Sequence, residues 1–243
     1  MIASLPMYDR PSTRAANDRL WQAIRDIYGR GPRTLDRTRD PHETWIARDL
    51  VFSQTCGLPY RSELHRSVQL IGTPDYGVDE CPPGYYRSCI VVRDDDQRDA
   101  LIRYDGARLA RNDTRSQSGW AALVTHLRDT ATPCRFDDIL DTGSHAASVQ
   151  TVAEGRADIA AIDAVTWALL LRDDPVTRRL RVLARTAPTP GLPYITGPDQ
   201  DVDALRRAAH EAIAALTSED RACLLLKGLV QVPAADYLAV PMP

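Results

Sequence analysis

Asn112 to Trp120 reads NDTRSQSGW and stands between two patterned runs. Ala107 to Arg111 before it has strand character, and Trp120, Leu123, Val124 and Leu127 after it share one helical face. Ser116, Gln117, Ser118 and Gly119 therefore fall at a helix N-terminus, where the first N–H groups have no intrahelical acceptor. Those donors, the positive end of the helix dipole and the short hydroxyl side chains make an anion site. Gly119 is expected to let a ligand approach the backbone with no Cβ in the way. Ordinary N-capping by Ser116 or Ser118 is the competing reading of the same residues.

Outward from this stretch, strand and helix alternate. Ile2 to Leu5 reads as a strand that meets Pro6 and a turn at Asp9 to Pro11. Ser12 or Thr13 caps a helix with Leu20, Ile24, Ile27 and Tyr28 on one face, ended by Gly29 and Gly31-Pro32. Thr44 to Ala47 reads as a short helix, with strands at Leu50 to Ser53 and Val68 to Gly72. Tyr86 to Arg93 is strand-like; helices are expected near 97–103, 118–129, 145–154 and 164–171, and strands near 107–111, 134–137, 158–162 and 180–185. Tyr194 to Thr196 is a further strand, followed by a helix from Asp201 with Val202, Leu205, Ala209, Ala212, Ile213 and Leu216 on one face. The alternation predicts an α/β fold with mainly parallel sheets. Two proline- and glycine-rich breaks, Glu80 to Gly84 and Ala187 to Pro193, suggest a lobe inserted into another lobe. The chain would cross between lobes near 80–88 and 186–194, and a cleft between lobes is a favoured place for a small molecule. A single α/β domain with two proline-rich loops is the plainer alternative.

The chain has 243 residues, 44% apolar and 26% charged, with a net charge of −3. That balance offers no general attraction to nucleic acid, and no apolar run is long enough to span a membrane. Arginine is abundant but Lys227 is the only lysine, and acidic residues are interleaved with the arginines. The five cysteines have no C-x-x-C spacing, so neither a metal nor a cofactor is expected; an odd count fits reduced thiols, with a Cys81–Cys89 bridge as an alternative. The start, Met1 to Tyr8, lacks a basic segment and a long apolar segment and reads as the first strand. The chain is expected to be either cytoplasmic or exported with its signal removed.

Other candidate residues also fall just past strands, the edge where ligands gather in open α/β sheets. Asp141 to Ser148 begins a helix with Ser144 as cap and His145 in its first turn, where an imidazole can donate to an oxyanion. Gln54-Thr55-Cys56-Gly57 follows the second strand, with Cys56 read as a structural thiol, and Tyr8 follows the first. Asp163 follows the strand ending at Ile162, either to accept from a ligand or to cap the next helix. Tyr8, Gln54, Thr55, Ser116, Gln117, Ser118, Ser144, His145 and Asp163 together are mostly neutral donors suited to holding a small oxyanion, with no evident nucleophile–base pair and no metal cluster.

These residues carry a resemblance to the phosphate-, phosphite- and phosphonate-type substrate-binding proteins of ABC transporters, which have the type 2 periplasmic-binding-protein fold. The matching stretches are ASLPMYDRP (3–11), LVFSQTCGLP (50–59), YRSCIVVR (86–93), NDTRSQSG (112–119), TGSHAAS (142–148) and EGRADIAAIDAVTW (154–167), in family order along nearly the whole chain. The resemblance implies two lobes, 1–84 with 190–243 and 85–189, that close by two hinge crossings on one ligand in the cleft. It implies that Ser116, Gln117 and Ser118 hold the oxyanion with His145 and Tyr8 beside it, that the chain works in the periplasm, and that an ABC permease is its partner. Where the family grips a ligand amine with a carboxylate after the second crossing, the nearest position here is Leu192, which disfavours an aminoalkylphosphonate and favours phosphate, phosphite or another small metabolite. A cytoplasmic enzyme on the same fold, using His145, Asp163 or Cys56, and a stand-alone metabolite sensor are the alternatives.

Overall fold

The computed structural model describes residues 1–243. Its strands in chain order are β1 (Ile2–Ser4), β2 (Leu50–Gln54), β3 (Gln69–Asp75), β4 (Tyr85–Tyr86), β5 (Ser88–Arg93), β6 (Ala107–Arg111), β7 (Phe136–Asp141), β8 (Ile159–Asp163), β9 (Leu180–Arg185), β10 (Thr189–Pro190), β11 (Tyr194–Thr196) and β12 (Gly228–Val230). The helices are α1 (Arg14–Tyr28), α2 (Pro41–Trp45), α3 (Gly57–Ser62), α4 (Ala122–Asp129), α5 (His145–Ala153), α6 (Ala164–Asp173), α7 (Val202–Ala214), α8 (Ser218–Leu224) and α9 (Ala234–Ala239). The chain divides into two compact units, Met1–Tyr85 with Pro190–Val240 and Tyr86–Thr189 with Pro241–Pro243.

In the first unit the sheet order is β1-β2-β11-β3-β12. β1 and β2 are parallel, whereas β11 runs antiparallel to both β2 and β3, and β12 antiparallel to β3. One face packs on α1 and α7 through Leu20, Trp21, Ile24, Phe52, Leu205 and Ile213; the other packs on Trp45, Tyr60, Leu64 and Tyr237. In the second unit the order is β7-β6-β8-β5-β9. β6 is parallel to β7 and β8, and β5 is antiparallel to β8 and β9, so β5 alone is reversed. Alternate residues of β5 serve opposite faces: Cys89 and Val91 meet Val149, Val152 and Trp167, whereas Ile90 and Val92 meet Leu109, Leu123 and Tyr104.

Both sheets are therefore mixed, not mainly parallel. A strand buried on both faces carries the same unbroken apolar run in either direction, so its direction is set by distant partners. Several local expectations also change. The helix expected near 97–103 is only a 3-10 turn, Leu101–Tyr104; the Asp96 carboxylate instead binds the Arg98 backbone N–H (2.9 Å) and guanidinium. Ile27 is 46% exposed although Leu20 and Ile24 are buried. The expected helix 118–129 opens with a π-helical turn, Gln117–Ala121, before α4. The strand expected at 134–137 lies at Phe136–Asp141, and Tyr86 to Arg93 is broken at Arg87 between β4 and β5. Leu216 lies beyond the end of α7. All five cysteines are free thiols, Cys81 and Cys89 included.

Gly84 closes the Pro82-Pro83 turn just before β4. Its φ is +77°, and a Cβ there would lie 2.3 Å from Val230 Cγ2. Its carbonyl accepts the Gly191 N–H at 2.8 Å, and its own N–H donates to Asp75 Oδ1 at 3.2 Å. A side chain would strain the backbone and overpack β12 together. Gly84→Ala should destabilise the protein by about 2 kcal/mol, read as a lowered urea midpoint; an unchanged midpoint would show that this turn relaxes freely.

Candidate functional site

The direction of the strands decides which residues share an edge. In the second unit β6, β7 and β8 point the same way, so the Ser116–Gly119 turn, Ser144–His145 and Asp163 all emerge at the C-terminal edge of one sheet. Reversed β5 brings its first residue there as well, since Ser88 is the register partner of Asp163. Thr186, just past β9, completes the edge: its Oγ1 accepts the Ser88 N–H at 3.0 Å, and its N–H donates to the Ser88 carbonyl at 3.0 Å.

Each hydroxyl at this edge has a definite task. Ser116 Oγ accepts from the Gly119 N–H at 2.9 Å, and Ser144 Oγ from the Ala147 N–H at 3.1 Å, so both act as N-caps. Asp163 Oδ1 accepts from the N–H groups of Val165 (2.8 Å) and Thr166 (2.9 Å) and is 2% exposed; its carboxylate caps α6. Ser88 Oγ donates to the Ser118 carbonyl at 2.8 Å, which fixes the π-helical turn on the sheet. Ser118 is different. Its Oγ lies 2.9 Å from His145 Nε2, so its hydroxyl is paired with a side chain and not spent on a helix start. Gln117 is buried beside it.

Gly119 has another role than expected. The place its Cβ would take is 1.7 Å from Asn112 Oδ1, so the missing side chain makes room for Asn112 and not for a ligand. The Asn112 carbonyl meanwhile accepts the Gly143 N–H at 3.0 Å, and Thr142 Oγ1 donates to the Arg111 carbonyl at 3.2 Å. The loops after β6 and β7 are thereby tied together. Arg111 pairs bidentately with Asp141 (2.7 and 3.0 Å) and lies over the Trp120 ring, 4.7 Å from its centroid. Its charge is already balanced.

Burial drives the pKa of His145 down to about 4, with the Ala161 backbone opposing, so the imidazole is neutral at neutral pH. Its Nδ1 is buried with no hydrogen-bond partner. The donor in the Ser118–His145 bond is set by the imidazole tautomer: with the proton on Nε2 the ring donates, and the Ser118 hydroxyl is free to point at an acceptor. This edge thus offers neutral donors and the open N–H groups of helix starts, which suit a small oxyanion.

The remaining candidates belong to the first unit. Thr13 occupies the N-cap of α1 but makes no capping bond; its hydroxyl donates to the Tyr8 carbonyl at 2.6 Å and fixes the turn after β1. The Tyr8 ring stands edge-on to Tyr76, centroids 5.0 Å apart. Gln54 Nε2 donates to the Leu192 carbonyl (3.1 Å) and to the Tyr76 hydroxyl (3.2 Å), and Thr55 is fully buried with its N–H on the Pro193 carbonyl. Gln54 and Thr55 therefore brace the segment that returns into this unit. A small cavity here is lined by Tyr8, Asn17, Gln54, Tyr76 and Tyr194 among others. Burial raises the Tyr194 phenol, which stays a neutral donor. Sequence reasoning passed over Ser88, Thr186 and Tyr76. Thr186 stands just past the strand expected at 180–185, so the rule that found the others would have found it, whereas Tyr76 falls past a strand that runs on to Asp75 and not to Gly72.

A family model described as ABC transporter, phosphonate, periplasmic substrate-binding protein matches residues 54–237. Among solved structures, the chain is similar to PhnD1 from Prochlorococcus marinus in complex with methylphosphonate, at 14% identity and TM-score 0.74, covering 97% of this chain and 94% of that one. It is also similar to a binding protein component of an ABC phosphonate transporter from Pseudomonas aeruginosa, at 14% identity and TM-score 0.72, covering 98% and 82%. A Xanthomonas citri protein bound to ATP is similar at 18% identity and TM-score 0.68, covering 97% and 92%. No curated protein sequence matches. The solved structures share the two-lobed α/β periplasmic-binding-protein fold, and no helix is long and apolar enough to cross a membrane. The family model spans most of the chain, and so the chain belongs to the periplasmic substrate-binding proteins of phosphonate ABC transporters, which bind a small solute for a permease and are not enzymes.

Proposed function

We propose that the solute is a small phosphorus oxyanion of the phosphonate, phosphite or phosphate class, gripped first at the C-terminal edge of the second unit. The observation that carries this reading is the Ser118–His145 pair, 2.9 Å apart at the start of the Gln117–Asp129 helical run. The ligand's oxygens take the open N–H groups of that turn and the Ser118 hydroxyl. His145 donates to Ser118 from behind and leads the second helix start to the same anion. Ser116, Ser144 and Asp163 act one step back, by holding the three helix starts in place. In the first unit Tyr8 is assigned to ligand binding, and Gln54 and Thr55 hold the returning segment at Leu192 and Pro193. Closure follows from the ligand's preference for the closed form and from nothing else. The protein does this work in the periplasm and hands the solute to its permease.

Ser118→Ala removes one hydroxyl donor from a charged ligand. It should weaken methylphosphonate binding in calorimetry by roughly 10- to 100-fold while leaving the melting temperature nearly unchanged. Ser116→Ala should do the reverse in kind: a loss of about 1 kcal/mol of stability from the missing cap, and a smaller change in affinity. Equal affinity in wild type and Ser118→Ala would sink the proposed site.

The His145 imidazole gives a second test. Its folded pKa of about 4 lies below the ordinary 6.5, so below 6.5 the unfolded chain takes up a proton that the folded chain refuses. Stability from this group is complete above 6.5 and falls progressively as the pH drops toward 4. In the ligand-free protein, the His145 ring resonances should titrate near 4 by NMR; a midpoint at 6.5 would show a solvated, uninvolved ring.

A further inference from the structure

The end of the chain grips both places where it leaves and re-enters the first unit. β12 pairs with β3, and the residues that follow reach the last residues before the first crossing and the first ones after the second. Val230 and Val232 pack on Gly84, where a Cβ would lie 2.3 and 3.2 Å from their Cγ2 atoms. The Tyr85 hydroxyl donates to Asp236 Oδ2 at 2.8 Å. The Tyr237 hydroxyl donates to the Gly191 carbonyl at 2.9 Å; it has one proton, so Thr73 Oγ1, 2.7 Å away in β3, is the donor of its second bond. Burial of the ring does not require these bonds, because Tyr237 also packs edge-on against Tyr60, centroids 5.1 Å apart.

Other donors complete the hold on the returning strand. Gln54 Nε2 takes the Leu192 carbonyl and the Thr55 N–H takes the Pro193 carbonyl, both at 3.1 Å. Three successive carbonyls, of Gly191, Leu192 and Pro193, thus each have a partner from a different part of the first unit. On the outgoing side, the Gly84 N–H is held by Asp75 Oδ1 at 3.2 Å and the Gly84 carbonyl by the Gly191 N–H at 2.8 Å. Beyond these points the character of the chain changes. Residues 190–197 are all buried, whereas Ala187 and Pro188 are exposed, and Arg87 interrupts the strands β4 and β5.

We propose that Asp236 and Tyr237 are positioning residues for closure: they clamp the first-unit end of each crossing and confine bending to the residues about Arg87 and 187–189. The inference rests on the closure reading above and goes beyond it, by naming what fixes the hinge. Chain ends are ordinarily the loosest part of a fold; this one is spent on the segments whose freedom decides how many open states binding must give up.

Hydrogen exchange on the intact, ligand-free chain, read by mass spectrometry, tests this. Tyr237→Phe keeps the ring against Tyr60 and removes the bond to Gly191; Tyr85→Phe removes the bond to Asp236. In the double variant, peptides over 82–86 and 189–194 should exchange about 10-fold faster. Thr217→Ala is the control, since it removes the α8 cap on the Asp220 N–H in the same unit and lowers stability away from the crossings. It should leave those peptides unchanged. Unchanged exchange in the double variant overturns the proposal, and so does an equal rise in Thr217→Ala. Should the double variant fail to fold, Tyr85→Phe alone decides: faster exchange at 82–86 supports the clamp and unchanged exchange overturns it. Methylphosphonate should also bind the folded double variant about 3-fold or more weakly; unchanged affinity overturns the link to closure. If methylphosphonate does not bind wild type, the oxyanion reading fails, while the exchange result still decides the clamp.

Discussion

Three parallel strands that end at one edge, each followed by a helix, impose the constraint on which the second unit depends. A helix start exposes N–H groups that the helix itself never satisfies. With β6, β7 and β8 aligned, three such starts collect on one side of one sheet. Ser116, Ser144 and Asp163 each take part of that unmet demand, and the remainder is what an anion can use. Reversing β5 adds a clamp to this arrangement. Its first residue holds the Ser118 carbonyl and shares a two-way bond with Thr186, so the turn that carries Ser118 is set by the sheet and not only by the loop before it.

The helix starts were legible because capping residues before an apolar period of 3.6 are a local signal. The same locality limits what can be read. A serine oxygen that caps and a serine oxygen that binds a ligand stand at the same kind of position, and only the partner tells them apart. Ser116 and Ser118 are two residues apart, yet one faces its own helix and the other faces His145 across a loop. The reason for Gly119 lay seven residues upstream, in Asn112, and appears only once the chain has formed a π-helical turn. Strand direction was illegible for a different reason. β5 and β8 are apolar on both faces, and that pattern has no polarity. The ion pairs of the arginines were hidden too, since an acidic partner such as Asp220 for Arg19 can stand far along the chain.

That pairing bears on how the protein manages charge. Arg98 joins Asp96 to Asp158, Arg111 holds Asp141, Arg37 joins Asp9 to Asp18, and Arg19 holds Asp220. Exposed pairs of this kind contribute little each to stability. Around Ser118, by contrast, the polar groups are hydroxyls, a neutral imidazole and backbone N–H groups.

Neutral donors also suit a protein that must release what it holds. Hydrogen bonds contribute roughly 0.5–1.5 kcal/mol each in net terms, and up to about 3 kcal/mol when the acceptor is charged. Half a dozen such bonds, less the cost of ordering the ligand, correspond to affinities around the micromolar range. A lone guanidinium placed among them would raise affinity for every anion alike.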